Sequence, residues 1–209
     1  MSLPVTPEYL SLALQDGCQV GRDTLGLHPV GDLILPTGQL VACDPFVSPE
    51  SPPYKLTLPK GNFPVVLSVA QMGTDQRVAF AIVRFKDAAQ ADWRMVTSGS
   101  RDPATLEPGH ILGYGVDSGT GCFMDRSAGL ALTQKMREDK RFFESLMAEM
   151  DKTYRHTWSW LNMRFGDANL IAFSSGLGDG LYATYAGFDS QGDVSVVITD
   201  FMVVPFDED

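Results

Sequence analysis

Apolar runs of strand length recur through the first half of the chain, at residues 33–35, 40–42, 54–58, 63–69, 78–85 and 93–96, and Gly, Pro, Asp or Asn separates most of them. Short apolar runs bounded by turn residues read as β-strands. The period then changes. Leu132, Met136, Phe143, Leu146, Met147 and Met150 recur at helical spacing with Lys, Arg and Glu between them. This predicts one long helix or two short ones beginning near Ser127, with Asp139 as the break. Strand patterning returns at 169–173, 182–188 and 194–204. At the N-terminus Tyr9, Leu10, Leu12 and Leu14 follow Thr6 as N-cap and Pro7 as first helical residue, so a short amphipathic helix is expected there, ended by Asp16-Gly17.

Turn chemistry joins these elements. Pro36-Thr37-Gly38 reads as a tight hairpin turn, Asp179-Gly180 as a β-turn, and Asp189-Ser190-Gln191-Gly192 as the turn joining the last two strands. Residues 45–53 hold four prolines and two serines, which marks a surface loop. Strands, a helical insertion and more strands predict an α+β fold of predominantly antiparallel β, twisted sheets or a sandwich, with a short N-terminal helix and a central helical insertion. No repeat or second core signature divides the chain, so 1–209 is expected to form a single domain.

Composition adds little to that picture, but charge placement adds more. With 44% hydrophobic and 20% charged residues the chain has an ordinary globular make-up. The N-terminus lacks the basic and apolar regions of a signal peptide, and no apolar stretch approaches membrane-spanning length. The expected location is the cytoplasm, with no membrane association. Cys18, Cys43 and Cys122 are odd in number and widely spread, which speaks against a disulfide framework or a zinc site and for free thiols. Net charge is −10, and residues 165–209 hold eight acids and no Lys or Arg, whereas 126–164 hold eight Lys/Arg against five acids. That asymmetry disfavours nucleic acid, which needs a basic footprint, and favours a basic partner near the C-terminal strands.

The densest candidate chemistry lies in the run from Gly113 to Asp125, which carries four glycines in nine residues. Val116-Asp117-Ser118-Gly119-Thr120 is similar to the catalytic turn of aspartic proteases, but that chemistry needs two such aspartates sharing one proton, and one copy is present. Asp117 and Asp125 offer hard oxygen ligands for calcium, but the EF-hand spacing fails, with Gly119, Gly121 and Ala128 where ligands belong. The remaining reading is architectural: the two carboxylates bond backbone amides at a turn and a helix start. Ser174-Ser175-Gly176-Leu177-Gly178-Asp179-Gly180 is a second glycine-rich turn, neither a P-loop nor a dinucleotide fingerprint. Convergence of Asp117, Asp125 and Asp179 would make an acidic cluster able to hold a metal or a lysine. His28, His110 and His156 have no nucleophile partner and read as structural or exposed. Tyr154, Trp158, Trp160 and Phe165 read as core or as an interface anchor.

Leu35-Pro36-Thr37-Gly38-Gln39-Leu40-Val41-Ala42-Cys43-Asp44-Pro45, Gly61-Asn62-Phe63-Pro64-Val65, Gly115 to Gly121, Ser175 to Tyr182 and Asp200-Phe201 form an ordered set. Together they resemble the DUF4241 domain family over about residues 30–204. The resemblance implies no established activity. It implies a context: small acidic proteins of this kind serve as immunity partners of secreted antibacterial toxins, including those of type VI secretion. The expected function is thus an immunity or inhibitor protein that binds a cytoplasm-acting toxin such as a nuclease through an acidic surface. Asp117, Asp125, Asp179, Asp189, Asp193, Asp207 and Glu208 are the candidate binding residues, with no catalytic residue, cofactor or resident metal assigned. The alternatives are a metal-dependent hydrolase or metal-binding protein using Asp117, Asp125 and Asp179, and a regulatory binding module.

Overall fold

The computed structural model describes residues 8–204. Two antiparallel sheets stack face to face, and two helices cover the outer face of the second. The first sheet runs β1 (Cys18–Val20), β2 (Asp23–Leu35), β4 (Gly61–Met72), β5 (Asp75–Arg84), β12 (Val194–Asp200), β11 (Gly180–Phe188) and β6 (Asp92–Val96), with β7 (Gly113–Val116) also on β11. β11 is long enough for two neighbours on one edge: its residues 184–188 pair with β6 and 180–183 with β7. The second sheet is β3 (Leu40–Cys43), β8 (Thr120–Asp125), β10 (Ala168–Ser174) and β9 (Trp160–Phe165).

Strand alternation explains the layers. In the second sheet Leu40, Ala42, Phe123, Ile171 and Phe173 face the first sheet, while Val41, Cys43, Cys122, Met124, Leu170 and Ala172 face the helices. Both faces are buried, so these strands read as continuous apolar runs rather than alternating ones. Helix α1 (Arg126–Glu138) contributes Ala128 and Leu132 to the outer core, and α2 (Phe142–Asp151) contributes Leu146 and Met150. The helical block is therefore two helices, with Asp139 capping the end of α1. Phe143 and Met147 lie on the exposed side of α2. Cys43 and Cys122 are directly opposed across β3 and β8, with sulfurs 3.7 Å apart, and both are buried free thiols.

Three expectations need correction. The N-terminal helix is a 3-10 turn, Glu8–Leu14. Leu10 and Ala13 are the buried pair there, and their spacing of three is the period at which 3-10 side chains align. Thr6 and Pro7 lie outside the described residues. Residues 54–58 are not a strand: Tyr54 donates its amide to the Leu40 carbonyl at 2.8 Å and Lys55 to that of Thr97 at 3.3 Å. Prolines at 52, 53 and 59 bracket the segment and stop a ladder from extending past either end. Pro36-Thr37-Gly38 turns the chain but closes no hairpin, because β2 belongs to the first sheet and β3 to the second. Gly38 has φ +73°, and a Cβ on it would stand 2.8 Å from the Leu58 carbonyl oxygen. A corner between sheets and a hairpin use the same turn residues, so local chemistry does not distinguish them.

Candidate functional site

Both glycine-rich runs are crossings between the sheets. β7 and β11 pair in the first sheet, β8 and β10 in the second. The turn at 117–119 and the turn at 175–179 therefore lie side by side, as one two-stranded ribbon bent from sheet to sheet. Gly119 donates its amide to Asp179 Oδ1 at 2.9 Å, and Ser175 donates its amide to the Gly119 carbonyl at 3.0 Å. The bend needs φ of +65° at Gly119, +58° at Gly176 and +120° at Gly178, a region costly for residues with a Cβ. At Gly176 an added Cβ would also come within 2.8 Å of both Phe201 and Val203 side chains.

A residue not among the sequence candidates holds this corner. Asp44, buried at the end of β3, accepts from the amides of Asp117 at 3.0 Å and Ser118 at 2.8 Å and from the Ser118 hydroxyl at 2.8 Å. It also accepts from the amides of Phe46 at 2.9 Å and Val47 at 3.3 Å, closing its own turn. Asp44 stood in the sequence only within the family-like run that ends Cys43-Asp44-Pro45. No local spacing reveals that its partners lie 73 residues on.

The candidate acids separate into three places. Asp117 and Asp179 are exposed at the bent ribbon. Asp125 is buried, N-capping α1 through the amide of Ser127 at 2.9 Å and holding the amide of Thr37 at 3.0 Å. Its two oxygens also accept from the Thr37 and Ser127 hydroxyls, so Asp125 anchors the other corner and its lone pairs face donors. Asp189 and Asp193 sit at the far end of β11, about 33 Å along the strand from Asp179 at about 3.3 Å per residue. Asp207 and Glu208 lie outside the described residues. Among the described residues no three His, Cys, Asp or Glu side chains gather in a metal-binding group.

At the far end of β11 Lys86 bridges Asp189 at 2.6 Å and Asp193 at 2.9 Å, while Asp189 Oδ1 accepts the amides of Gln191 and Asp193. The Lys86 hydrogen bond, foremost, holds the Asp189 carboxyl below the usual carboxylate range. A depressed native value stabilises the fold above the ordinary carboxylate range, and that contribution fades as pH falls through the native value. Asp189→Asn is therefore expected to flatten the acid limb of stability against pH, read by thermal melts across the acid range, with little change near neutrality beyond the lost ion pair. An unchanged acid limb would show that this turn does not sense pH.

What the ribbon presents outward is mixed. Leu177 is 66% exposed, Met202 53% and Leu181 46%. Leu181 lies two residues after Asp179, and the backbone beside Met202 packs on Gly176. Tyr182 fastens the turn from below, donating its hydroxyl to the Gly178 carbonyl at 2.7 Å; burial, then the Asp179 charge, pushes its phenol up. Trp158 is buried, Trp160 half-buried and Tyr154 exposed, so the aromatic cluster is chiefly core.

The fold and this ribbon define a two-sheet antiparallel β protein with a helical outer layer, whose exposed corner is held by buried carboxylates. Residues 33–199 match the family model described as protein of unknown function (DUF4241), and the chain belongs to that family. No curated protein and no solved structure matches it. Among the described residues no helix is long and apolar enough to cross a membrane.

Proposed function

We propose that the protein is a binding protein that neutralises a basic protein partner in the cytoplasm, as the immunity partner of a secreted antibacterial toxin such as a nuclease, and that the bent ribbon is its contact surface. The observation that carries the reading is the juxtaposition of Leu177, Leu181 and Met202 with the exposed carboxylates of Asp117 and Asp179. Exposed apolar side chains rimmed by polar groups are the composition of a protein-binding patch. Residues 165–209 hold eight acids and no Lys or Arg, a negative bias that speeds encounter with a basic face. The toxin assignment itself is an analogy from the small, acidic make-up of the chain, since the family is described only as of unknown function. Asp189 and Asp193 lie at the other end of β11 and belong to the field rather than the contact.

Affinity capture from the source lysate with the wild-type chain and with Leu177→Arg/Asp179→Lys, read by mass spectrometry at low and high salt, tests the proposal. A basic protein is expected on the wild type, weakened by salt and lost from the double variant. A captured set indifferent to salt and to both substitutions sinks it.

A further inference from the structure

A second site, built from other residues, lies where the loop after α2 folds over β2, β4 and β5. The loop is closed by paired backbone bonds between Arg155 and Trp158, at 3.0 and 3.1 Å. Thr157 fastens it to the β4–β5 hairpin, donating to Asp75 Oδ1 at 2.9 Å and to the Gln76 carbonyl. This closure places His156 at φ +52°, a left-handed conformation that costs a non-glycine residue on the order of 1 kcal/mol. Such strain persists where surrounding bonds enforce it, and it clusters at ligand sites.

The loop carries a cation without a counter-charge. Arg155 stacks its guanidinium 4.5 Å from the Trp158 ring centroid and 5.2 Å from that of Trp160. Its Nη2 lies 2.8 Å from Nδ1 and 2.7 Å from Nε2 of His28, so it donates to whichever nitrogen is unprotonated. Burial, then the Arg155 charge, keeps the His28 imidazolium below its ordinary range. The neighbour that positions Arg155 is thus neutral and leaves the positive charge uncancelled. Among the described residues no carboxylate stands within ion-pair distance of Arg155; the adjacent Asp75 is taken by Arg77 and Thr157. The guanidinium donors on Nε and Nη1 make no hydrogen bond within the described residues.

These groups open into a cleft of about 360 Å³, at the small end of ligand pockets. Thr24, Gly26 and His28 alternate onto one face of β2, and Gly26 forms the floor: the nearest atom to an added Cβ is the Val69 carbonyl oxygen at 4.0 Å. Val69 supplies apolar wall, Arg155 and His156 the polar rim. Nη2 carries two hydrogens, and the one not directed at His28 forms, with the neighbouring Nε–H or Nη1–H, a parallel pair that matches a carboxylate or phosphate.

We propose that this cleft binds a small metabolite through its carboxylate or phosphate group, with Arg155 as the recognising fork, His156 as second donor and Gly26 as the open floor. The site stands apart from the partner-binding ribbon and does not depend on it.

Titrating the whole protein with sodium phosphate and, separately, sodium acetate at constant ionic strength, while following the Arg155 Nε–H and His156 ring resonances by NMR, tests this. Saturable shifts are expected with at least one anion; phosphate alone marks a phosphorylated ligand, acetate alone a carboxylate one. Arg155→Gln should abolish saturation. Since that change also removes packing on two indoles, Gly26→Val is the second variant: its side chain fills the floor, so binding should weaken at least about tenfold with the melting temperature unchanged. Shifts that fail to saturate with either anion, or that persist in both variants, overturn the proposal.

Discussion

Replacing Asp44 by alanine is expected to destabilise the fold by about 3–5 kcal/mol in urea unfolding, as removal of one member of a fully buried polar network does. Asp44 has no side-chain exposure and receives four backbone amides and one hydroxyl. Hydrogen bonds to a charged acceptor each contribute about 1.5–3 kcal/mol. The sum over five overstates the loss, because alanine also removes the cost of burying a carboxylate and leaves room for water. The amides of Asp117 and Ser118 are the groups most exposed to the change, since the bend at Gly119 prevents them from finding ladder partners. Asp44→Asn keeps the shape and one acceptor oxygen but turns an NH2 toward donors, so it should fall between alanine and wild type. Hydrogen exchange supplies an independent reading: protection at Asp117 and Ser118 should drop well before global unfolding in either variant. A cost within the roughly 0.5 kcal/mol of an ordinary surface change would mean that the β7–β11 and β8–β10 ladders hold the corner unaided.

That Asp44 escaped a sequence reading while the acids around it did not has a physical cause. Asp117 and Asp125 flank glycines, and glycine density does mark the bend correctly. What it does not mark is which carboxylate turns inward. Asp117 lends only its amide and points its side chain to solvent, whereas Asp44, directly after the apolar strand β3, supplies the acceptor. The strand pattern was legible where burial is two-sided, as in β5 or β10, because continuous apolar runs leave one reading. It failed at β7, where Gly113-Tyr114-Gly115-Val116 carries too little hydrophobicity to register. A Cβ at Gly113 would stand 2.2 Å from the Tyr182 carbonyl oxygen, so closeness to β11 removed the side chains that would have signalled a strand. β9 is hidden differently: Leu161, Met163 and Phe165 face the helices, but the residues between them are polar, Asn162 turning toward β2 to meet Asn169, and the helical block before it obscures the alternation. The Arg155 cleft was illegible because its parts come from β2, β4, β5 and a loop more than 125 residues after His28. His28 and His156 each look like isolated histidines along the chain.

Asp125→Ala should cost about 2–4 kcal/mol, less than Asp44→Ala but from two separable sources, a lost helix cap and a released corner. The cap alone is typically worth about 1 kcal/mol; the remainder is the hold on Thr37, whose amide and hydroxyl both point at the carboxylate. Asp125→Ser separates them. Serine caps a helix about as well as aspartate but is too short to reach Thr37 as well, so it should recover the cap and leave the corner unheld. Thr37→Ala combined with Asp125→Ala supplies the cycle: residues sharing one hydrogen-bonded network couple by about 0.5–3 kcal/mol, and the double variant should cost clearly less than the two singles added. Additive losses would show that Asp125 acts on α1 alone. The same residue decides against the metal reading in a second experiment. A structural cap and corner need no cation, so wild-type protein dialysed against a chelator should unfold at the same urea concentration as untreated protein. A midpoint that falls on dialysis and returns with added calcium would put Asp125 back among ligands, and the carboxylate would then have to give up either Thr37 or the start of α1 to reach the ion.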